Sequence, residues 1–173
     1  MTLLDGVKIA VVMTLVAVIQ VSIVTPFEVA RGHVDLVAVT LISIALLRGP
    51  VVGAVAGFWA GLILDTATLS TLGLTSLVLT LLGYWAGRFG EGTTRSSPHP
   101  PLIAVALGTI WVVLGTGLLE FMLGEGVPPG DVLGRVLLPT LALNLLAAYP
   151  VYRITCRLLP PSFRARREAT ALV

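Results

Sequence analysis

Gly49, Gly53, Gly57 and Gly61 stand four residues apart within the apolar stretch 48–64, and Asp65 follows the last of them. Positions four apart on an α-helix differ by about 40° around the axis, so the row winds slowly round the cylinder as one groove. In water, four glycines weaken such a helix by roughly 0.5–1 kcal/mol each relative to alanine. In lipid, the same spacing lets a second backbone approach closely, and that close approach drives helix association. The row therefore points to helices packed within a membrane.

Composition requires the same solvent. Hydrophobic residues make up 56% of the 173 and charged residues only 12%, whereas a soluble domain carries about 25% charged residues. That is too few to cover a water-facing surface. Leu, Val and Ala dominate and strand-like alternation is absent, which favours helices over a barrel. The single cysteine, Cys156, excludes an internal disulfide and a Cys-rich metal site. His33 and His99 fall far apart in expected loops and read as solvated residues. The sequence offers no cofactor motif, no metal site and no basic surface suited to nucleic acid.

Six apolar segments follow one another: 7–25, 34–47, 51–64, 69–89, 102–123 and 132–159. The first is too long for a secretory h-region and carries Asp5 beside it, so it reads as an uncleaved span. The second and third are short and separated only by Arg48, Gly49 and Pro50, which suits either two short spans or a re-entrant hairpin. Charge placement decides for six spans. With the N-terminus in the cytoplasm, Lys8, Arg48, Arg88, Arg95, Arg153, Arg157, Arg164, Arg166 and Arg167 fall inside, against Arg31 and Arg135 outside. The expected architecture is an all-α integral membrane protein: one domain over 1–173, a six-transmembrane-helix bundle with both termini cytoplasmic and a basic tail at 160–173. The polar segment 90–101 reads as a flexible linker, and Pro139 and Pro150 as kinks in the last span.

No catalytic constellation appears: no Ser/His/Asp or Cys/His arrangement, no HExxH, no phosphate-binding loop and no paired acids within a span. Gln20, Glu120 and Asn144 are the polar residues of the spans, with Asp65 at a membrane edge. Glu120 reads as solvated. Gln20 and Asn144 suit hydrogen bonds between helices. Asp65 suits a cap on the 66–71 turn, a pair with Arg31 or Arg135, or contact with a partner. Gly83 and Gly87 repeat the close-contact spacing on the fourth span, where Tyr84, Trp85 and Arg88 fit an interface anchor.

The run Ala45-Leu46-Leu47-Arg48-Gly49-Pro50, then Gly53, Gly57-Phe58, Gly61-Leu62, Asp65, Leu72-Gly73 and Gly83-Tyr84-x-x-Gly87, resembles the core of the rod shape-determining MreD family. The resemblance implies a non-catalytic scaffold or regulatory subunit of the bacterial cell-elongation complex in the cytoplasmic membrane, supporting lateral peptidoglycan synthesis. It implies as partners the bitopic protein MreC, a SEDS-type glycosyltransferase with a class B penicillin-binding protein, and the actin-like MreB, besides membrane lipid. The residues it singles out for helix packing or partner contact are Arg48, Gly49, Pro50, Gly53, Gly57, Gly61, Asp65, Gly73, Gly83, Tyr84 and Gly87. The fold is also similar to the six-helix substrate-binding subunits of energy-coupling-factor vitamin transporters. That likeness supplies the alternative function, a substrate-binding subunit of a small-molecule transporter. The small-residue docking spacing of those subunits is poorly kept here, since Ala10 is followed by Thr14 and Ala17 by Val21.

Overall fold

The computed structural model describes residues 3–24, 34–92, 99–124 and 137–159. Among them the chain forms six α-helices and no strand. These are α1 (Leu3–Ile19), which continues into a π-helical turn (Gln20–Val24), α2 (Leu36–Arg48), α3 (Pro50–Thr68), α4 (Leu74–Gly92), α5 (His99–Met122) and α6 (Leu138–Leu158). The stretches Leu4–Ser22, Pro50–Thr68 and Pro101–Met122 are long and apolar enough to cross a membrane. Nineteen residues of helix, as in α3, reach about 29 Å, close to the ~30 Å of a hydrocarbon core.

The short helix α2 stands apart. Its 13 residues cover only about 20 Å. Every residue from Val37 to Leu47 is buried. A helix that is apolar all round needs apolar neighbours on every side, and α2 packs against α1, α3, α4, α5 and α6 alike. It is the centre of the bundle. Met13 and Ala17 of α1, Ala56 and Ala60 of α3, Leu79 and Leu82 of α4, Val105 of α5 and Ala148 of α6 close the core around it.

Helices consecutive in the chain run in opposite directions. Asp5 at the start of α1 bridges Arg48 at the end of α2, and Gly87 near the end of α4 meets Pro50 at the start of α3. Asn144, early in α6, binds the start of α2, so α6 runs parallel to the central helix. At the α2–α3 turn, Gly49 adopts φ 94° and donates its N–H to the Ala45 carbonyl at 2.8 Å. A side chain is strained in that conformation. Pro50 then opens α3, where a missing N–H leaves nothing unpaired.

Several boundaries differ from those expected. α3 continues to Thr68, and residues 69–73 form a turn, not the start of the fourth helix. Gly73, at φ 95°, makes that turn. α4 extends to Gly92 and α5 begins at His99, so helix occupies both ends of the polar segment 90–101. His99 therefore opens a helix and does not lie in a loop. Prolines 100 and 101 fall in the first turn of α5, where they cost no helical hydrogen bond. Pro139 sits likewise in the first turn of α6, while Pro150 lies inside that helix. His33, Arg31, Arg95, Arg135 and the basic tail lie outside the described residues.

Candidate functional site

The residues that carry the family likeness gather on the hairpin of α3 and α4, the most extensive helix pair among the described residues. A Cβ on Gly53 would fall on the Gly83 carbonyl, and one on Gly83 would fall on the Gly53 carbonyl. One on Gly57 would strike the Leu79 carbonyl, one on Gly61 the Ser76 backbone, and one on Gly87 Pro50. The two backbones are in contact along about three turns, so hydrogen is the only side chain these positions accommodate. Gly90 extends the approach to Leu46 of α2, where a Cβ would lie 3.0 Å from backbone. Gly49 differs from the rest of the row: its space is open apart from Glu91 Oε1 at 3.6 Å, and its positive φ is the constraint. Tyr84 lies on the exposed side of α4, its ring edge-to-face with Trp85 at 5.8 Å and 80°.

Asp65 closes the end of this hairpin at which α3 turns into α4. The edge position expected for it implies hydration, yet the residue is 0% exposed. Oδ2 accepts from Gly73 N at 2.8 Å, Ser76 N at 3.4 Å and Ser76 Oγ at 3.3 Å. Oδ1 accepts from Thr75 N at 3.2 Å and Ser70 Oγ at 3.4 Å. The first N–H groups of a helix have no partner within it. The residue before α4 is Gly73, which has no side chain to cap them. Asp65 of α3 supplies that cap from the neighbouring helix, and its negative charge complements the positive end of the α4 dipole. Its main-chain carbonyl also accepts from Ser70 N at 3.2 Å. Arg31 and Arg135, the cations considered for it, lie outside the described residues.

Both ends of α2 are held by side chains from other helices. Asp35 accepts from Ala38 N at 2.9 Å as N-cap. Gln20, on the π-helical turn, accepts from Leu36 N at 2.9 Å and donates to the Val34 carbonyl at 2.9 Å. Asn144 of α6 accepts from Asp35 N at 2.7 Å and donates to Thr109 Oγ1 of α5 at 3.0 Å. Thus side chains from the ends of α1 and α6 satisfy its start, and α5 holds Asn144 in place, a requirement set by a helix too short to carry its end into water. At the other end, Arg48 reaches Asp5 Oδ2 at 3.4 Å with a guanidinium side chain only 7% exposed. Asp5, Thr109 and Ser76 escaped sequence reasoning. Their signal is three-dimensional, since each partner lies on another helix or beyond a turn.

Every Lys and Arg among the described residues, namely Lys8, Arg48, Arg88, Arg153 and Arg157, lies within two turns of the same end of the bundle. Asp35 and Asp65 lie at the other end. Glu120 is exposed near the close of α5. Chemically, the assembled polar groups bind helix termini and one another. Among the described residues no three His, Cys, Asp or Glu side chains form a group able to hold a metal.

A family model described as rod shape-determining protein MreD matches residues 2–160. No curated protein and no solved structure gives a match.

Proposed function

The chain belongs to the rod shape-determining MreD family of membrane proteins, and from that premise we propose that it serves the cell-elongation complex as a non-catalytic scaffold. In this reading all six helices stand in the cytoplasmic membrane and both termini face the cytoplasm, at the end that collects the lysines and arginines. Its partners are MreC and, through MreC or directly, the SEDS-type glycosyltransferase with its class B penicillin-binding protein, and MreB. What the protein contributes is a rigid shape against which those membrane segments pack.

One observation carries the reading. The buried polar residues singled out by the sequence, Gln20, Asp65 and Asn144, are engaged in joining helices: Asp65 to the start of α4, and Gln20 and Asn144 to the start of α2. A transporter subunit with the same helix count would need such side chains turned toward a ligand. The exposed apolar rows on α1 (Leu4, Val7, Val11, Leu15, Val18) and on α3 (Val51, Val55, Phe58) provide surfaces for lipid or a partner helix.

Affinity purification in mild detergent from a rod-shaped host separates the two readings. The scaffold reading expects MreC and the wall synthases to co-purify. Recovery of nucleotide-binding energising subunits in their place would favour the transporter.

A further inference from the structure

Between α4 and α5 the surface opens into a groove of about 600 Å³. Its floor is made of small residues, Ala86, Ala104 and Gly108, and its walls of Trp85, Leu107 and Trp111. Trp85 is 61% and Leu107 58% exposed, so the trough opens sideways toward the bilayer. It runs about 10 Å along the helices, taken from residues 104 to 111 at 1.5 Å each. At its charged end stands Arg88, one turn beyond Trp85, with its side chain 59% exposed.

We infer that this groove holds one acyl chain of an anionic phospholipid, with the phosphate at Arg88. A partner helix is the poorer occupant. Helices associate in lipid where small residues bring two backbones together, and here the small residues lie beneath tryptophan and leucine walls that hold another backbone away. A flexible chain reaches such a floor. The charge also selects the occupant: a cation at the end of an apolar trough, with donors left over from its bond to Glu91, matches a lipid that is negative at one end and apolar along its length. Arg88 Nη1 donates to Glu91 Oε2 at 3.0 Å, and the guanidinium fork keeps further N–H donors for a phosphate. Trp85 beside Arg88 suits the headgroup boundary. The groove is a feature of the bundle alone. Only its assignment to the cytoplasmic leaflet rests on the orientation proposed above.

Two of the three tryptophans, Trp85 and Trp111, line the groove, which makes it directly observable. The full chain carrying Trp59→Phe is placed in phosphatidylcholine vesicles. Quenching by brominated-chain phosphatidylglycerol is then compared with quenching by brominated phosphatidylcholine at equal mole fraction. The expected preference for phosphatidylglycerol is about fivefold, the effect of one basic residue at an anionic surface. Arg88→Glu removes the preference. Glu91→Gln, which frees the guanidinium, raises it. Arg157→Glu, the same charge change at the same end on α6, leaves it intact. Equal loss in Arg88→Glu and Arg157→Glu means diffuse attraction and overturns the site, as does a wild-type preference of one. Quenching by both lipids that is insensitive to Ala104→Phe, in protein of wild-type helicity, places the chain outside the groove and equally overturns it.

Discussion

Replacing Asp65 by asparagine preserves its size but leaves a single acceptor oxygen facing donors from Gly73, Thr75, Ser76 and Ser70. Replacing it by leucine leaves them all unpaired. Each buried donor without a partner costs about 1–3 kcal/mol, so Asp65→Leu is expected to lose about 3 kcal/mol or more and Asp65→Asn distinctly less. Thermal unfolding in one detergent measures both, and equal losses would show that the carboxylate does not cap α4. The glycines permit a similar contrast. Gly57→Ala drives a methyl into the Leu79 carbonyl and is expected to destabilise by about 1–3 kcal/mol, whereas Gly6→Ala meets nothing within 4 Å. The latter should be neutral or gain up to about 1 kcal/mol. A Gly57→Ala protein as stable as wild type would mean that α3 and α4 do not touch as described.

At the scale of the helices, the short α2 governs the design. Its start depends on Gln20 and Asn144, and its end on the Arg48–Asp5 pair. Asp5→Ala leaves a guanidinium side chain nearly buried without its acid, a loss on the order of 3 kcal/mol for a pair of this kind. Asp5→Ala with Arg48→Leu together should recover part of it, because the unpaired charge is gone. If the double variant is less stable than wild type by the full sum of the two single effects, the two residues act independently and the pairing is not what holds that end. The sequence contained the helices but not their rank. A segment apolar on every side looks the same whether lipid or protein surrounds it, so 34–47 read as a short span and not as the centre of the bundle. The boundaries slipped where turn residues were hidden in apolar runs. Leu69 and Leu72 look like membrane residues, yet Gly73 makes their neighbourhood a turn. Asp65 looked hydrated because its partners lie five to eleven residues onward in the chain, within that turn and at its far side.

For the whole molecule, helical membrane character was plain from the scarcity of charge and the absence of strand alternation. The family was legible in the string from Ala45 to Gly87, most of it in the α3–α4 hairpin. The burial of α2 and the caps shared between helices were not, since both depend on helices distant in sequence. Orientation is testable from outside the cell with a thiol reagent in a Cys156→Ser background. Leu72→Cys, in the exposed turn after α3, should be modified, and Gly92→Cys, at the close of α4, should not. The reverse pattern would invert the bundle. The scaffold claim itself meets its most direct measurement in a depletion strain, where cell width is scored against the abundance of each complementing variant. If the protein acts as a surface, width follows abundance: Gln20→Leu, Glu120→Gln and Asn144→Leu support rod shape in proportion to the protein that accumulates, while Gly57→Leu yields little protein and round cells. Complete loss of shape in Asn144→Leu, at normal abundance and with partners still co-purifying, would place a ligand or a reaction inside the bundle and contradict the account.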